Sequence, residues 1–256
     1  MASVPLHFQS FGSGPPLLIL HGLLGSLDNW VSLARRWGDS FQVFALDLRN
    51  HGRSPHAEDF NYQVMAGDVL TFLDSQQFPK AHLLGHSMGG KVAMRLALDN
   101  PERVEKLVVA DMAPKSYPPW HRPIIDAMGS LRLNTFQTRG DADAALAPAI
   151  PDAPTRQFLL KNLARDEQGG FRWKVNLDSI SRHYDELNAP IPAGHPFAGP
   201  ALFIHGGRSE YVLESDRPAI LRDFPQACFV AIPDAGHWLH ADAPEAFLRA
   251  VGEFLR

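Results

Sequence analysis

Six short runs of this 256-residue chain are apolar almost throughout and end at or near Gly, Asp or His: PLLILHG (16–22), QVFALDL (42–48), AHLLGHS (81–87), VEKLVVAD (104–111), ALFIHGG (201–207) and CFVAIP (228–233). Their continuity limits the fold more than any other feature. A strand with one wet face alternates apolar and polar residues, whereas an unbroken apolar run belongs to a strand covered on both sides. Helical patterns separate the runs, roughly over 29–38, 61–76, 88–99, 214–224 and 243–255, and Asp99-Asn100-Pro101 stops the third. This alternation predicts a doubly wound, mostly parallel α/β sheet. LHFQSFG, near the N-terminus, adds an antiparallel edge strand.

One region breaks the pattern. Between Met112 and Pro196 the nearest approach to a strand is an isolated FRWKVNL, and DADAALAPAI, PTRQFLLKNLARD and LDSISRHYDEL read as short helices. A structureless loop of that length is improbable in a compact domain. Residues 112–196 are therefore expected to form a helical cap, or lid, inserted into a core of 1–111 and 197–256. Hydrophobic residues at 45% suffice for a substantial core, and a net charge of −4 offers no basic surface for nucleic acid. Cys228 is the single cysteine, so no internal disulfide can form. MASVPLHFQSFGSG shows no basic and apolar leader, and no run approaches the ~20 apolar residues of a membrane span. A cytoplasmic protein without a membrane span is expected.

GHSMGGKVAM (85–94) carries two patterns at once. Gly85, Gly90 and Lys91 approximate a phosphate-binding loop, and LVVAD (107–111) resembles a Mg²⁺-binding strand end. Val92, however, stands where that loop needs a Ser or Thr hydroxyl, and the turn follows the third or fourth strand instead of the first. Gly85, Ser87 and Gly89 instead form G-x-S-x-G, a nucleophile elbow. Chance alone supplies that pattern roughly 0.09 times in such a chain; its place between a buried strand and an Ala- and Met-rich helix gives it weight. A plain N-cap would explain the serine but not glycines on both sides. Lys91 is then a coincidence of helix composition.

A serine hydroxyl needs a base. Of the six histidines after Ser87 (His121, His183, His195, His205, His237 and His240), only His237 and His240 lie between the last strand and the last helix. His237 follows Ala-Gly in a turn and fits the order nucleophile, acid, histidine; His240 is read as a surface residue or a neighbour supporting the base. No cysteine cluster or carboxylate triad accompanies the pair, so no metal is expected, nor any cofactor. ILHGLLGS (19–26) supplies a Gly-rich turn after a buried strand, and the backbone N–H groups of Leu23 and Met88 are the candidate oxyanion hole.

HGLLGSLDNW, DLRNHGRS, GHSMGG and DAGHWLHADAPEAF together resemble the α/β-hydrolase superfamily over almost the whole chain, weakest in the cap, and in detail are similar to its small bacterial esterases of the YbfF type. The resemblance implies a serine hydrolase acting on carboxylic esters, or on acyl-CoA and other thioesters, through an acyl-enzyme. Two carboxylates compete to orient His237. Glu210, in HGGRSEYV, stands where most of the superfamily carries its acid; Asp111, in LVVADMAP, stands where the esterase branch does. Asp111 could otherwise be a strand-end cap, and Glu210 a solvated charge beside Arg208. Asp111 is the first choice, because a short side chain on a rigid strand end holds geometry better than a longer one on a loop, and Glu210 is the alternative. Leu24, Trp120 and Trp238 are candidate pocket residues. In the cap, Trp120, His121, Arg122, Trp173, Arg182 and Tyr184 either shape an acyl pocket with a basic rim or form the cap's own core. A lyase or C–C bond hydrolase on the same scaffold, or a slow-turnover ligand sensor, would share these motifs. An elbow serine in place of aspartate disfavours a dehalogenase or epoxide hydrolase.

Overall fold

The computed structural model describes residues 3–256. From the N-terminus run β1 (Phe8–Phe11), β2 (Pro16–Leu20), α1 (Val31–Trp37), β3 (Gln42–Leu46), α2 (Tyr62–Ser75), β4 (Ala81–His86), α3 (Met88–Asp99) and β5 (Val104–Ala110). A long segment follows, with α4 (Arg122–Gly129), α5 (Arg139–Leu146), α6 (Ala153–Leu160), β6 (Leu163–Arg165), β7 (Phe171–Trp173), α7 (Leu177–Arg182) and α8 (Tyr184–Asn188). The alternation then resumes with β8 (Ala201–Gly206), α9 (Arg217–Asp223), β9 (Ala227–Ile232), α10 (Leu239–Asp242) and α11 (Pro244–Leu255).

Seven strands make one sheet in the order β1-β3-β2-β4-β5-β8-β9. Every pair is parallel except β1 with β3, where Phe8 lies opposite Leu46. The six apolar runs are the six parallel strands, and LHFQSFG contributes the antiparallel edge. Their uninterrupted hydrophobicity follows from two covered faces. Leu18 and Leu83 pack into the layer of α2 and α3, while their neighbours Ile19 and Leu84 pack into the layer of α1 and α11. Several strands end a residue or two before their runs do, because His21, Asp47, Ser87 and Asp111 have left the ladder for turns.

Those turns are where the sheet can hold a site. β3 and β4 flank β2 on opposite sides, so the winding reverses there and opens a crevice at the carboxyl ends of β2 and β4.

The segment between β5 and β8 differs from expectation in one respect. FRW (171–173) is not isolated: it pairs antiparallel with LAR (163–165), which the pattern assigns to a helix, with Leu163 opposite Trp173. Turn chemistry overrides helical periodicity here. Asp166 Oδ1 accepts the N–H groups of Gln168 (2.9 Å) and Gly170 (2.8 Å), and Gly169 takes φ +83°. The segment shares the main core through Ile125, Met128 and Tyr184. Polar ties fasten it as well: Asn162 Nδ2 donates to Leu24 O (2.7 Å) and Tyr62 Oη to Leu187 O (2.6 Å). Among the described residues no helix is long and apolar enough to cross a membrane.

Candidate active site

Ser87 stands between β4 and α3 with φ +52° and ψ −118°. A non-glycine residue held there costs about 1–3 kcal/mol and persists only where its surroundings over-determine it. The surroundings are backbone. A Cβ on Gly85 would lie 2.2 Å from Gly89 O, and one on Gly89 would lie 2.3 Å from Leu20 O. Both glycines are required because strand, turn and helix touch main chain to main chain. Ser87 N–H donates to Ala110 O (3.0 Å), pinning the turn to β5. The serine side chain does not cap α3, so helix capping does not account for it.

His237 and Asp111 meet. His237 Nδ1 lies 2.7 Å from Asp111 Oδ2, an arrangement in which Nδ1–H donates and Nε2 keeps its lone pair. Asp111 is fully buried, with φ +50°, and its carboxylate also accepts Gly206 N–H (3.2 Å) and the Ser209 hydroxyl. Burial raises the Asp111 carboxyl to about 6, against the pull of those two donors. Burial likewise pushes the His237 imidazole down to about 3. At neutral pH the pair is therefore carboxylate and neutral ring, which is the state of a base able to accept a proton. Glu210 is exposed and bonds to neither. Its two neighbours face inward: Ser209 onto Asp111, and Tyr211 stacked on the His237 ring at 3.8 Å and 16°. Ser209 and Tyr211 carry no motif of their own, and strand-like alternation around the alternative acid Glu210 is the only signal that could have found them.

The loop after β2 is locked by residues to which the motifs assign no role. Neutral His21 accepts Leu48 N–H at Nε2 (3.0 Å) while its Nδ1 bonds Gly22 O (2.8 Å). His51 bonds Arg49 O through Nδ1 (3.0 Å) and accepts Leu24 N–H at Nε2 (3.2 Å). Burial lowers the two rings to about 4 and about 3, which keeps the accepting nitrogens free of protons. Asp47 accepts Leu27 N–H (2.8 Å) and Arg53 N–H (2.9 Å), and the buried Arg49–Asp68 pair anchors the turn between them. Leu24 sits at φ +60°, and Gly25 N–H is taken by Gly22 O (3.0 Å). Leu23 N–H makes no hydrogen bond among the described residues, and Met88 N–H, first in α3, has no partner within its helix. His86, lowered by burial to about 3, bonds His237 O at 2.9 Å and so joins the elbow to the histidine loop.

Ser87 and Leu23 line two cavities. The larger, about 610 Å³, also takes in Leu24, Phe158, His237 and Trp238. The narrower, about 30 Å³, holds Met88, Lys91, Trp120, Tyr184 and Tyr211. Of the three expected pocket residues, Leu24 and Trp238 line the larger cavity and Trp120 the narrower one. Trp173 instead bonds Met128 O (3.2 Å), and Arg122 bonds Ser181 Oγ (2.9 Å) and lies over Tyr184, so these two serve the segment's own packing. One reading narrows and one changes. Of the two readings of His240 the surface one falls, because its ring stacks on Trp30 at 4.2 Å and lies 4.8 Å from His86. Lys91 is not incidental either, because it is wholly buried and lines the narrow cavity. Among the described residues no group of three or more His, Cys, Asp or Glu could hold a metal ion.

A sequence model of the alpha/beta hydrolase fold matches residues 15–171. The chain is 42% identical to the mouse sn-1-specific diacylglycerol lipase ABHD11, covering 94% of this chain and 81% of that protein. It is 39% identical to esterase YbfF of Escherichia coli K12, over 96% and 95% of the two chains. Among solved structures, a marine microorganism esterase superposes with a TM-score of 0.97 at 44% identity, covering 98% of this chain and all of that one.

Proposed function

The chain belongs to the α/β-hydrolase family as a hydrolase acting on esters, and from that premise we propose a serine carboxylesterase that works through an acyl-enzyme. Ser87 Oγ attacks the acyl carbon as His237 takes its proton, and Asp111 orients the ring and stabilises the imidazolium that forms. Leu23 and Met88 N–H groups receive the oxyanion, each contributing ~3–4 kcal/mol to lowering the barrier. The alcohol leaves with the proton from His237, and water, activated by the same base, releases the acid. The observation that carries this reading is the His237–Asp111 bond at 2.7 Å, beside a serine strained into a positive φ and bordering the same cavity as His237. Thioesters present the same carbonyl to the same groups. The segment 112–196 is proposed to act as a lid that shapes the acyl and alcohol sites, and the reaction needs no cofactor.

Turnover of p-nitrophenyl esters of graded chain length tests the proposal. The expected result is hydrolysis that Ser87→Ala lowers by about 10⁴-fold or more with the fold intact by circular dichroism. If no chain length is turned over, a lyase or C–C hydrolase takes its place.

A further inference from the structure

Lys91 lies in the first turn of α3, four residues after Ser87, and the two residues line the same narrow cavity. It is 0% exposed. Its Nζ donates to Ala189 O (2.6 Å), approaches Asn188 O at 3.5 Å, and lies over the rings of Tyr62 and Tyr117 at 5.5 and 5.1 Å. No Asp or Glu borders the cavity it shares with Ser87, and among the described residues it forms no ion pair. An ammonium buried without a counter-charge is among the costliest groups to hold in a fold, and burial pushes its pKa down to about 7. A tether between α3 and the chain after α8 does not require it. Arg95, one turn further along, already donates to Pro192 O (2.7 Å) and pairs with Asp99.

We propose that Lys91 is a specificity-determining residue that receives the terminal carboxylate of a short acyl chain, so that the preferred substrates are half-esters of small dicarboxylic acids. The inference rests on the serine-esterase reading above. In that reading the alcohol departs first and water must follow it, while the acyl group stays on Ser87. The cavity of about 610 Å³ suits the traffic, and that of about 30 Å³ suits the far end of the group that stays. The narrow cavity has room for roughly two or three heavy atoms, the size of a carboxylate. There the carboxylate would meet the remaining Nζ–H in a charge-assisted hydrogen bond and supply the counter-charge that the protein omits. The chemistry at the ester is unchanged: the acyl–oxygen bond breaks, the alcohol takes the serine proton, and water restores it on releasing the diacid.

The test compares monoethyl succinate with ethyl 4-methylpentanoate, an uncharged ester of nearly the same shape, by ethanol release. Wild type is expected to favour the succinate ester by about 10- to 100-fold in kcat/KM, chiefly through KM. In Lys91→Met that ratio falls to near one. Free succinate should also compete with substrate in the wild type, where folding of a variant is not in question, and 4-methylpentanoate should compete far less. A wild-type ratio of one or below, no competition by succinate, or equal losses on both esters in Lys91→Met each overturn the inference. Fluorophosphonate reaction of the wild type separates the two levels. Ser87 labelled and only the neutral ester hydrolysed would remove the role of Lys91 alone; no label and no turnover would remove the serine-esterase reading beneath it.

Discussion

The turn that carries Ser87 and the segment inserted between β5 and β8 are built by opposite means. Around the elbow, backbone packs on backbone. A methyl group at Gly89 would meet two carbonyl oxygens, at 2.3 and 2.6 Å, and Ser87, Asp111 and Leu24 are all held at positive φ. In the inserted segment, Gly129 and Gly194 have nothing within 4 Å of an added Cβ, and the segment joins the rest of the protein through side chains and single hydrogen bonds such as Asn162 to Leu24. Under the proposed function the contrast separates two tasks. Atoms that must sit within fractions of an ångström of a reacting carbon are fixed by main chain, which no substitution can move cheaply. Surfaces that select a substrate are made of side chains, which can change without moving the reacting atoms.

The comparison can be broken at its strongest point first. Asp111→Asn should lower kcat/KM by about 10⁴-fold, because an amide cannot hold the His237 tautomer or stabilise its cation. Glu210→Gln should leave the rate within about twofold. A large loss from Glu210→Gln with Asp111→Asn nearly intact would show that the pairing of His237 with Asp111 is not the working one. Next, Gly89→Ala should destabilise the protein by several kcal/mol in urea unfolding, since either the helix or the β2 turn must move to admit the methyl. Wild-type stability near Gly89→Ala would mean that the elbow has slack the structure does not show.

The buried histidines around the elbow should also set the acid lability of the protein. His21, His51, His86 and His237 are held neutral by burial, with values near 4, 3, 3 and 3, against about 6.5 in an unfolded chain. Above pH 6.5 neither state binds these protons and their contribution to stability is complete. As the pH falls below 6.5 the unfolded chain takes up protons that the folded chain refuses, so stability is lost down to about pH 3, by up to about 1.4 kcal/mol per pH unit for each group. Asp111, raised to about 6, works the other way between pH 6 and 3.8 but is a single group. Thermal unfolding should therefore shift steeply downward between pH 6.5 and 4, and a flat Tm across that range would contradict the buried, neutral state of the ring cluster. Smallest of all, Gly129→Ala, in open space on α4, should change stability by less than about 1 kcal/mol, in the stabilising direction. A cost equal to that of Gly89→Ala would erase the difference between the two regions.

How much of this was legible beforehand follows the same division. Strands β2 to β5, β8 and β9 were readable because burial on two faces leaves an unmistakable apolar run, and Ser87, His237 and Asp111 stood out as candidates because each ends a strand or follows Ala-Gly in a turn, with Glu210 beside Asp111 as the alternative. The β6–β7 hairpin was not, since three-residue strands are shorter than any periodicity and depend on an Asp166 turn. Ser209 and Tyr211 were hidden by the acid between them. Lys91 was hidden because its meaning lies in the lack of a partner: a lysine in a helix reads as solvated until the fold shows what covers it. His21 and His51 were equally silent, as their role is to accept backbone N–H groups from a loop distant in sequence.

The most direct test of the account is the reaction of a fluorophosphonate with the intact protein, followed by intact-mass analysis and peptide mapping. One equivalent should attach, at Ser87, and attachment should vanish in Ser87→Ala and slow by orders of magnitude in Asp111→Asn. Labelling at another residue, or none in a protein that still hydrolyses esters, would contradict the assignment of Ser87 as the nucleophile served by His237 and Asp111.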